Sequence, residues 1–564
     1  MNKTNELNIS PIILDILSKR GIRSQSDIEE YISPKPRKTY DPFLMKGMDE
    51  ISDHVINYAR AKRKICVYGD YDADGVTSVS LMMTVLRELD ADVWYYIPSR
   101  FEEGYGLNFK AIDKIAKRQT ELIITVDNGC VALDEVEYIK QKGMSVIITD
   151  HHNLEAQVPE CLMLNPKQVD DKYPFNFLCG CGVAFKLAQA IIRKTNMPKR
   201  VLNNLLDIVS IATIGDIVPL IDENRTLVKY GIDRIHRNIR PGLRCLLDAT
   251  GINASEVNSY KVAFGIVPYI NSCGRMETAD MGVELLTCGD MHRDEKIAAD
   301  MKRLNTTRRN LQEEIYKGIT ECLKKDTSIR QKKGQPSLPN IIFHYAGDVH
   351  EGVTGIVAGK LKEKYYRPSI ILTDSGDGIV KGTGRSIPGI DIHALLSPYD
   401  GLFLRFGGHA GACGFSMKYK DIDYLGKSLN ADLDAMHERN PDLFDYKLIP
   451  DAVINVDEVT LDLARDIQKM EPFGEGNARP IFSIKNVPVK SVKRIGNKGQ
   501  YKKLTCIGAG GQTFDAISFN DDLDELDKIK PGACVELIGT IDENIWNGKS
   551  SVQVILKNIK ILYG

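Results

Sequence analysis

The chain has 564 residues, 43% of them apolar and 27% charged, and a formal net charge of −2 from 74 Lys and Arg against 76 Asp and Glu. That length predicts three or four domains with more than one core, and the composition is that of an ordinary soluble globular protein. The charge balance excludes an indiscriminately basic coat, so a nucleic-acid site would have to be a local patch. No leader and no apolar run of roughly 18 residues is visible, so no membrane span is expected. The 12 cysteines are scattered, and Cys179-Gly180-Cys181 is the only close pair, without the second pair a zinc site needs. A reducing cytoplasm with buried thiols is expected.

Residues 1–46 carry a short helical pattern that Ser33-Pro34-Lys35-Pro36 stops, a small cap or an adaptor. Residues 47–240 alternate helix and strand patterns. Three apolar runs there end in aspartate: Ile65 to Asp70, Leu122 to Asp127 and Val146 to Asp150. Short β-branched runs of this kind read as buried strands of a parallel sheet. The first continues as Tyr71-Asp72-Ala73-Asp74-Gly75, the second as Asn128-Gly129, and the third as His151-His152. A further strand-like run, Val93 to Ile97, leads to Arg100 and a polar loop. Leu206 to Ile214 is read in the same way as the three, a fourth apolar run ending at Gly215-Asp216. In an open α/β sheet the strand carboxyl ends share one rim, where ligands bind. A lone aspartate there is usually a turn residue or a cap. Four such endings, one with three alternate aspartates and one with Asp-His-His, exceed that explanation. Carboxylates packed together repel unless a cation sits among them. Oxygen ligands with one or two imidazoles suit Mn²⁺ or Mg²⁺, so a site for two such ions is expected.

Residues 241–335 turn helical, with Ile297, Met301, Leu304, Leu311, Ile315 and Ile319 on one apolar stripe. Lys302, Arg303, Arg308 and Arg309 lie off it, as a solvated face or as the border of a nucleic-acid cleft. After the break at Lys332 to Pro339, residues 336–445 form a second α/β unit with two glycine-dense loops. Arg385 and Ser386 follow one; Gly408 and His409 lie in the other. Glycine-rich loops can bare amides to an anion, and arginine grips phosphate bidentately.

Residues 446–564 open with a helix pattern from Ile454 and a turn-rich connector at Pro472 to Asn477. Alternating strands of a small antiparallel barrel follow, parted by Gly508 to Gly511 and by Asn547-Gly548. Between Lys485 and Lys503 there are 7 Lys or Arg and no acidic residue. Lys490, Lys493, Arg494, Tyr501 and Lys502, with Phe482 as a further stacking surface, make a candidate single-strand patch.

The runs Asp70 to Gly75, Val126 to Gly129, Asp150-His151-His152 and Gly215-Asp216 resemble the four motifs of the DHH phosphoesterase superfamily. Within it the chain is most similar to the bacterial single-strand-specific DNA exonucleases. Gly382 to Ser386 and Phe406 to Gly414 resemble the DHH-associated domain, and the last ~110 residues an oligonucleotide-binding barrel. The resemblance implies a multidomain α/β protein: a parallel-sheet DHH domain at 47–240, a long connecting helix in 241–335, a DHH-associated domain at 336–445 and an OB-like barrel at 446–564. It implies a 5′-to-3′ exonuclease of single-stranded DNA that releases mononucleotides in repair and recombination. Asp70, Asp72, Asp74, Asp127, His151 and Asp216 are the implied metal ligands, with Asp127 bridging two ions that hold the scissile phosphate. Asp127, His152 and Asn128 are the implied catalytic residues, His152 contacting the phosphate or a ligand, and Asn128 either orienting a metal-bound water or, with Gly129, forming only a turn. Arg100, Arg275, Arg385, Ser386, Gly408 and His409 would bind the substrate. His350-Glu351-Gly352-Val353 matches a family motif without an assigned role. Many relatives have histidine where Tyr68 stands. A monomer is expected, with a single-strand-binding protein and recombination helicases as partners. Two alternatives stand beside this: a small-substrate DHH phosphodiesterase acting on oligoribonucleotides or a cyclic dinucleotide, which would lack the barrel, and a non-catalytic DNA-binding relative, which would have decayed acidic motifs.

Overall fold

The computed structural model describes residues 9–332, 338–496, 499–519, 526, 528–546 and 548–563; Lys498 and Asn547 lie outside them. The chain divides into two compact units, one of Met1–Asn271, Ala279–Ala298 and Ile449–Gly564, the other of Ser272–Thr278 and Ala299–Leu448.

The first unit is built on strands β1 (Ile65–Tyr68), β2 (Val93–Tyr96), β3 (Leu122–Val126), β4 (Ser145–Thr149) and β5 (Leu162–Leu164), in the order β2-β1-β3-β4-β5 with every pair parallel. Helices cover the sheet, so β1 and β3 are buried along their whole length. The winding reverses between β1 and β3, and the loops after those two strands carry Asp70 to Asp74 and Asp127. A reversal of this kind opens the crevice where doubly wound sheets bind ligands.

Leu206–Gly215 is a helix, not the fourth strand-like run expected from its sequence. Asp207 to Ile214 are all buried, among the helices Ala73–Glu88, Gly180–Thr195 and Asp222–Asn238. A segment buried on every side has no apolar period, so its sequence does not tell helix from strand. Asp216 nevertheless ends it, as the helix C-cap.

The second unit holds the sheet β6 (Ile342–Tyr345), β7 (Ser369–Asp374), β8 (Ile379–Arg385), β9 (Phe403–His409) and β10 (Ala412–Lys418), in the order β6-β7-β8-β10-β9. The two glycine-dense segments are strands here, not anion-cradling loops. A Cβ on Gly382 would meet the Phe415 ring at 2.3 Å, and one on Gly384 the Cys413 Sγ at 2.5 Å. These glycines make room for core side chains. The apolar stripe lies on one helix, Met291–Lys332, with Ile297, Met301, Leu304 and Ile319 buried. Arg303 pairs with Glu277 and Asp300, and Arg308 bonds Asn305 and Gln312.

The C-terminal strands are β11 (Ala452–Asn455), β12 (Phe482–Ile495), β13 (Tyr501–Ile507), β14 (Thr513–Ser518), β15 (Cys534–Trp546) and β16 (Lys549–Tyr563). Their order is β11-β12-β13-β14-β16-β15, and a β12–β15 pairing closes the barrel. The pairs β11–β12 and β14–β16 are parallel, so the barrel is mixed where antiparallel pairing was expected. Ile454 lies in β11, and the helix expected there begins only at Leu461. Phe482 is fully buried in the barrel core and offers no stacking surface.

Residues 9–32 belong to this barrel, whereas Tyr40, Asp41 and Lys46 bond to the sheet domain at Glu223, Arg193 and Asp171. Ile13, Ile16, Leu17 and Ile28, from the helices Pro11–Lys19 and Gln25–Ile32, share a core with Ile467, Phe482, Val487 and Leu537. A buried guanidinium ties this assembly to the sheet domain. Arg225, only 4% exposed, donates to the carbonyls of Tyr31 (2.9 Å), Met470 (3.0 Å) and Glu471 (2.7 Å), and lies 3.9 Å over the Tyr31 ring. Its helix, Asp222–Asn238, starts six positions after Asp216. Burial pulls the guanidinium down to about 10, and main-chain carbonyls together with the Tyr31 ring solvate it. Arg225→Met would take the donor from Glu471 O, while Met470 O keeps Asn477 Nδ2 and Tyr31 O keeps Lys229 Nζ, at a cost of roughly 1–3 kcal/mol. The variant should melt earlier and become protease-sensitive near Met470 to Asn477. Unchanged cleavage there would contradict this role.

Candidate metal centre

The rim is assembled by backbone donors that fix each carboxylate. Asp72 caps the helix Ala73–Glu88, its Oδ1 accepting from the amides of Asp74 (2.9 Å) and Gly75 (3.1 Å). Asp74 accepts from Gly180 N (2.7 Å) and Cys181 N (2.9 Å), the first amides of the helix Gly180–Thr195. Helix N-termini favour anions at that position. A Cβ on Gly180 would lie 2.5 Å from the Cβ and Oδ1 of Asp127, so only glycine lets the helix end approach. The Cys179-Gly180-Cys181 run, read in the sequence for its thiols, therefore serves through its backbone. Nothing in the cysteine spacing signals this; the Gly-Cys-Gly start of an apolar helix is the one available cue.

Asp127 follows β3 with φ of 65°, a left-handed conformation that aspartate tolerates better than most residues. Asn128 donates its amide to Val126 O at 2.9 Å, and Thr125 Oγ1 donates to Asn128 O at 2.7 Å, locking the turn. Asp150 follows β4 and accepts four hydrogen bonds: Oδ1 from His151 N (2.7 Å), His152 N (3.1 Å) and His152 Nδ1 (2.7 Å), Oδ2 from Cys130 N (3.0 Å). A carboxylate so fully used orients the histidines.

These elements converge on His151. Its Nε2 lies 3.2 Å from Asp127 Oδ1, 3.6 Å from Asp216 Oδ2 and 3.9 Å from Asp74 Oδ2. Ligand atoms of Asp74, His151 and Asp216 fall within 4.8 Å of one another, as do those of Asp70, Asp72 and Asp127, and those of Asp127, Asp150, His151 and His152. Asp70 Oδ1, Asp127 Oδ1 and His151 Nε2 are buried with no hydrogen-bond partner. Orphaned buried acceptors facing one another call for a cation. The donor set, carboxylates with one buried imidazole, fits Mn²⁺ or Mg²⁺.

The electrostatics agree. Burial, then the neighbouring carboxylates, push Asp127 and Asp70 well above the ordinary range. Burial, then Asp74 and Asp72, push Asp216 up to about 9. Burial also raises Asp74. It holds His151 down to about 4, so this imidazole is neutral and its lone pair free for an ion. Asp150 goes the other way: burial raises it, but the His152 hydrogen bond and charge win, and it stays ionised. His152 is correspondingly raised, burial being outweighed by Asp150.

The remaining sequence candidates fall in three places. Arg100 stacks on Tyr71 (5.0 Å), close enough for its charge to favour ionised Asp70. Tyr68 is fully buried, its hydroxyl donating to Gly106 O (2.8 Å) and accepting from Asn108, so it takes no part in a metal shell. In the second unit Ala412 pairs with Arg385 on one side and His409 on the other, bringing both motifs together across β10. Gly408 has φ of 149°, and a Cβ there would meet Ala412 O at 2.4 Å. Ser386 corrects an expectation: it is buried, and its hydroxyl donates to Ile390 O at 2.7 Å, within its own loop. Arg275 donates to Gly352 O (3.1 Å), and His350 caps the helix Glu351–Tyr365 through Gly352 N, a structural histidine. On the barrel, Lys493 faces Lys503, Arg494 faces Lys502 and Ile495 faces Tyr501 across β12–β13; Lys490, Lys493 and Arg494 are exposed. Tyr501 packs edge-on at 5.2 Å against Phe519, itself 52% exposed. Two rim residues have no sequence signal: Tyr105, whose hydroxyl donates to Asp127 O (3.2 Å) and lies 3.3 Å from His152 Nε2, and Lys167.

Comparison with known proteins places three family models on the chain: the DHH family, N-terminal domain, at 64–213, the DHHA1 domain at 338–434, and the RecJ OB domain at 450–558. The single-stranded-DNA-specific exonuclease RecJ of Bacillus subtilis is 36% identical over 99% of this chain and 69% of that protein. The crystal structure of RecJ from Thermus thermophilus in complex with Mn²⁺ is 27% identical, with a TM-score of 0.80 over 98% of this chain and 76% of that one. The Mg²⁺ complex gives a TM-score of 0.75 over 98% and 75%, also at 27% identity.

Loading ions must displace the protons that burial and repulsion hold on these carboxylates. Between roughly pH 7 and 9, where His151 is neutral, Asp216 keeps a proton in the folded protein that the unfolded chain has lost. That contribution stabilises the ion-free fold at the lower pH and fades as pH rises through about 9. Mn²⁺ affinity should therefore climb across the window, and the melting-temperature gap between Mn²⁺ and EDTA should widen. Calorimetry in two buffers of different ionisation heat should find at least about one proton released at pH 7.5. A pH-independent affinity without proton release would remove Asp216 from the ligand set.

Proposed function

The chain belongs to the RecJ family of single-stranded-DNA-specific exonucleases, and from that membership and its carboxylate cluster we infer that it is a divalent-metal-dependent exonuclease acting on single-stranded DNA. The observation that carries this reading is the meeting of Asp127 with two ligand groups, Asp70 and Asp72 on one side, His151 with Asp74 and Asp216 on the other. Two divalent ions bound there would neutralise the phosphodiester and make a water nucleophilic at neutral pH.

The protein's own residues hold the geometry. Asp127 would be the ligand shared by both positions, since it lies with Asp70 and Asp72 in one group and 3.2 Å from His151 in the other. His151, kept neutral by burial, lends Nε2, and the helix end at Gly180 keeps Asp74 turned into the cluster. His152, whose Nδ1 is engaged by Asp150 and whose side chain is 45% exposed, is oriented to donate to a phosphate oxygen. Asn128 keeps the Asp127 turn in register through Nδ2 on Val126 O, while its Oδ1 is buried without a hydrogen-bond partner. Arg100 answers the charge of the strand beside Asp70. Arg385, flanked with His409 across β10, is the candidate grip for a 5′-terminal phosphate, which would give 5′-to-3′ polarity and mononucleotide products; Ser386 does not share that contact as a donor. The basic hairpin β12–β13, with Tyr501 and Phe519, suits a single strand through charge and stacking. It favours long strands over the small substrates of other DHH phosphodiesterases. No helix among the described residues is long and apolar enough to cross a membrane. Cytoplasmic action alongside a single-strand-binding protein and recombination helicases accords with this reading.

The direct test is digestion of one strand labelled separately at its two ends, with Mn²⁺ or with EDTA. Early release of the 5′ label as mononucleotide, loss of the 3′ label only late, and no cleavage in EDTA are expected. Hydrolysis confined to di- to tetranucleotides would move the protein to the small-substrate enzymes. Asp127→Ala should cut turnover by more than about a hundredfold while leaving single-strand binding near that of the parent. Equal loss of both would make Asp127 a folding residue.

A further inference from the structure

Lys167 stands in the turn Asn165-Pro166-Lys167 that leaves β5 at the rim. β5 is fixed to the metal-bearing segment, because Leu164 O accepts from Asp150 N at 2.9 Å. Asn165, fully buried, ties the turn down: its Nδ2 donates to His152 O (3.0 Å), and its Oδ1 accepts from Lys167 N (2.9 Å). The Lys167 ammonium donates to Asn153 Oδ1 at 3.1 Å, one residue past His152. Backbone and side chain are thus both anchored to the Asp150 to Asn153 segment.

The ammonium is half-buried, yet its hydrogen-bond partner is a neutral amide, and it makes no ion pair within 4.0 Å among the described residues. A lysine drawn into a protein surface ordinarily takes a carboxylate. Acidic groups are near, for the Lys167 charge offsets part of the upward push that burial, Asp74 and Asp72 exert on Asp216. They are engaged elsewhere: Asp150 by four donors, Asp74 by the N-terminal amides of the helix Gly180–Thr195, Asp216 toward His151. An ammonium has three donors, and one is used. Arg100 stands on Tyr71, in the loop after β1, and Lys167 on Asn153, just past the two histidines, so each of the two rim segments carries one cation.

We propose that Lys167 is a catalytic residue whose Nζ contacts the scissile phosphodiester of the bound strand, opposite Arg100. Charge that develops on the phosphoryl oxygens in the transition state would meet a fixed, partly desolvated ammonium. The Asn153 tether keeps that ammonium from collapsing onto the metal-binding carboxylates when no strand is bound. The inference rests on the exonuclease reading.

The test compares the full chain with Lys167→Met and Lys167→Gln, the second keeping a donor for Asn153 should the first fold poorly. Two quantities are read: kcat/KM on a 5′-labelled single strand in saturating Mn²⁺, and the Mn²⁺ Kd from the free-ion electron paramagnetic resonance signal. The expected result is a fall in kcat/KM of about tenfold or more, with Mn²⁺ bound at least as tightly as by the parent. Removing a cation beside carboxylates relieves its electrostatic competition with the ion they hold. Activity within about twofold of the parent would overturn the proposal, and so would a loss matched by weaker Mn²⁺ binding, which would make Lys167 a prop of the metal site. Failure of the parent chain to degrade the strand would instead remove the exonuclease reading itself.

Discussion

Buried carboxylates that repel one another at short range are the constraint from which the rest of the first unit follows. Asp70, Asp74 and Asp127 are each no more than 3% exposed, and Asp216 faces the same imidazole. Bringing such groups together opposes folding unless they hold protons or cations. The surrounding architecture works against that repulsion. The β1/β3 reversal opens the crevice, a helix end donates two amides to Asp74, and Gly180 removes the one Cβ that would block the approach. Ions complete what the backbone begins, so metal occupancy and stability are the same question for this unit.

The coupling of the barrel to this site has a different character. Its core is completed from the opposite end of the chain, by Ile13, Ile16 and Leu17, and its connector is held by the Arg225 guanidinium at Met470 and Glu471, by Ser259 at Phe473 and by Leu220 at Glu475. Arg225 sits on the helix that begins just beyond Asp216. The basic hairpin is therefore referenced to the carboxylate rim through a short run of backbone, where a long flexible linker would let it wander.

The chemistry was legible in the sequence because its residues are local: Asp70, Asp72, Asp74, Asp127, Asp150 and His151 each end or follow a strand. What escaped was decided by tertiary packing. Leu206 to Ile214 is apolar all round, and its neighbours make it a helix. The glycines of β8 are bare because Phe415 and Cys413 occupy the space, and not because a phosphate does. Phe482 and Ser386 face inward, which alternation alone could not assign in β12 or in the loop after β8. Asp150, which opens the Asp-His-His run, is taken up by the amides of His151, His152 and Cys130 and by the His152 imidazole. Lys167 and Tyr105 reach the rim from turns whose composition announces nothing.

The central claim is that Asp127 serves two ion positions at once. Anomalous diffraction from crystals loaded with Mn²⁺ tests it most directly. Two peaks, one against Asp70 and Asp72 and one against Asp74, His151 and Asp216, both touching Asp127, are expected. A single peak in a saturated crystal, or two peaks of which only one touches Asp127, would contradict the account.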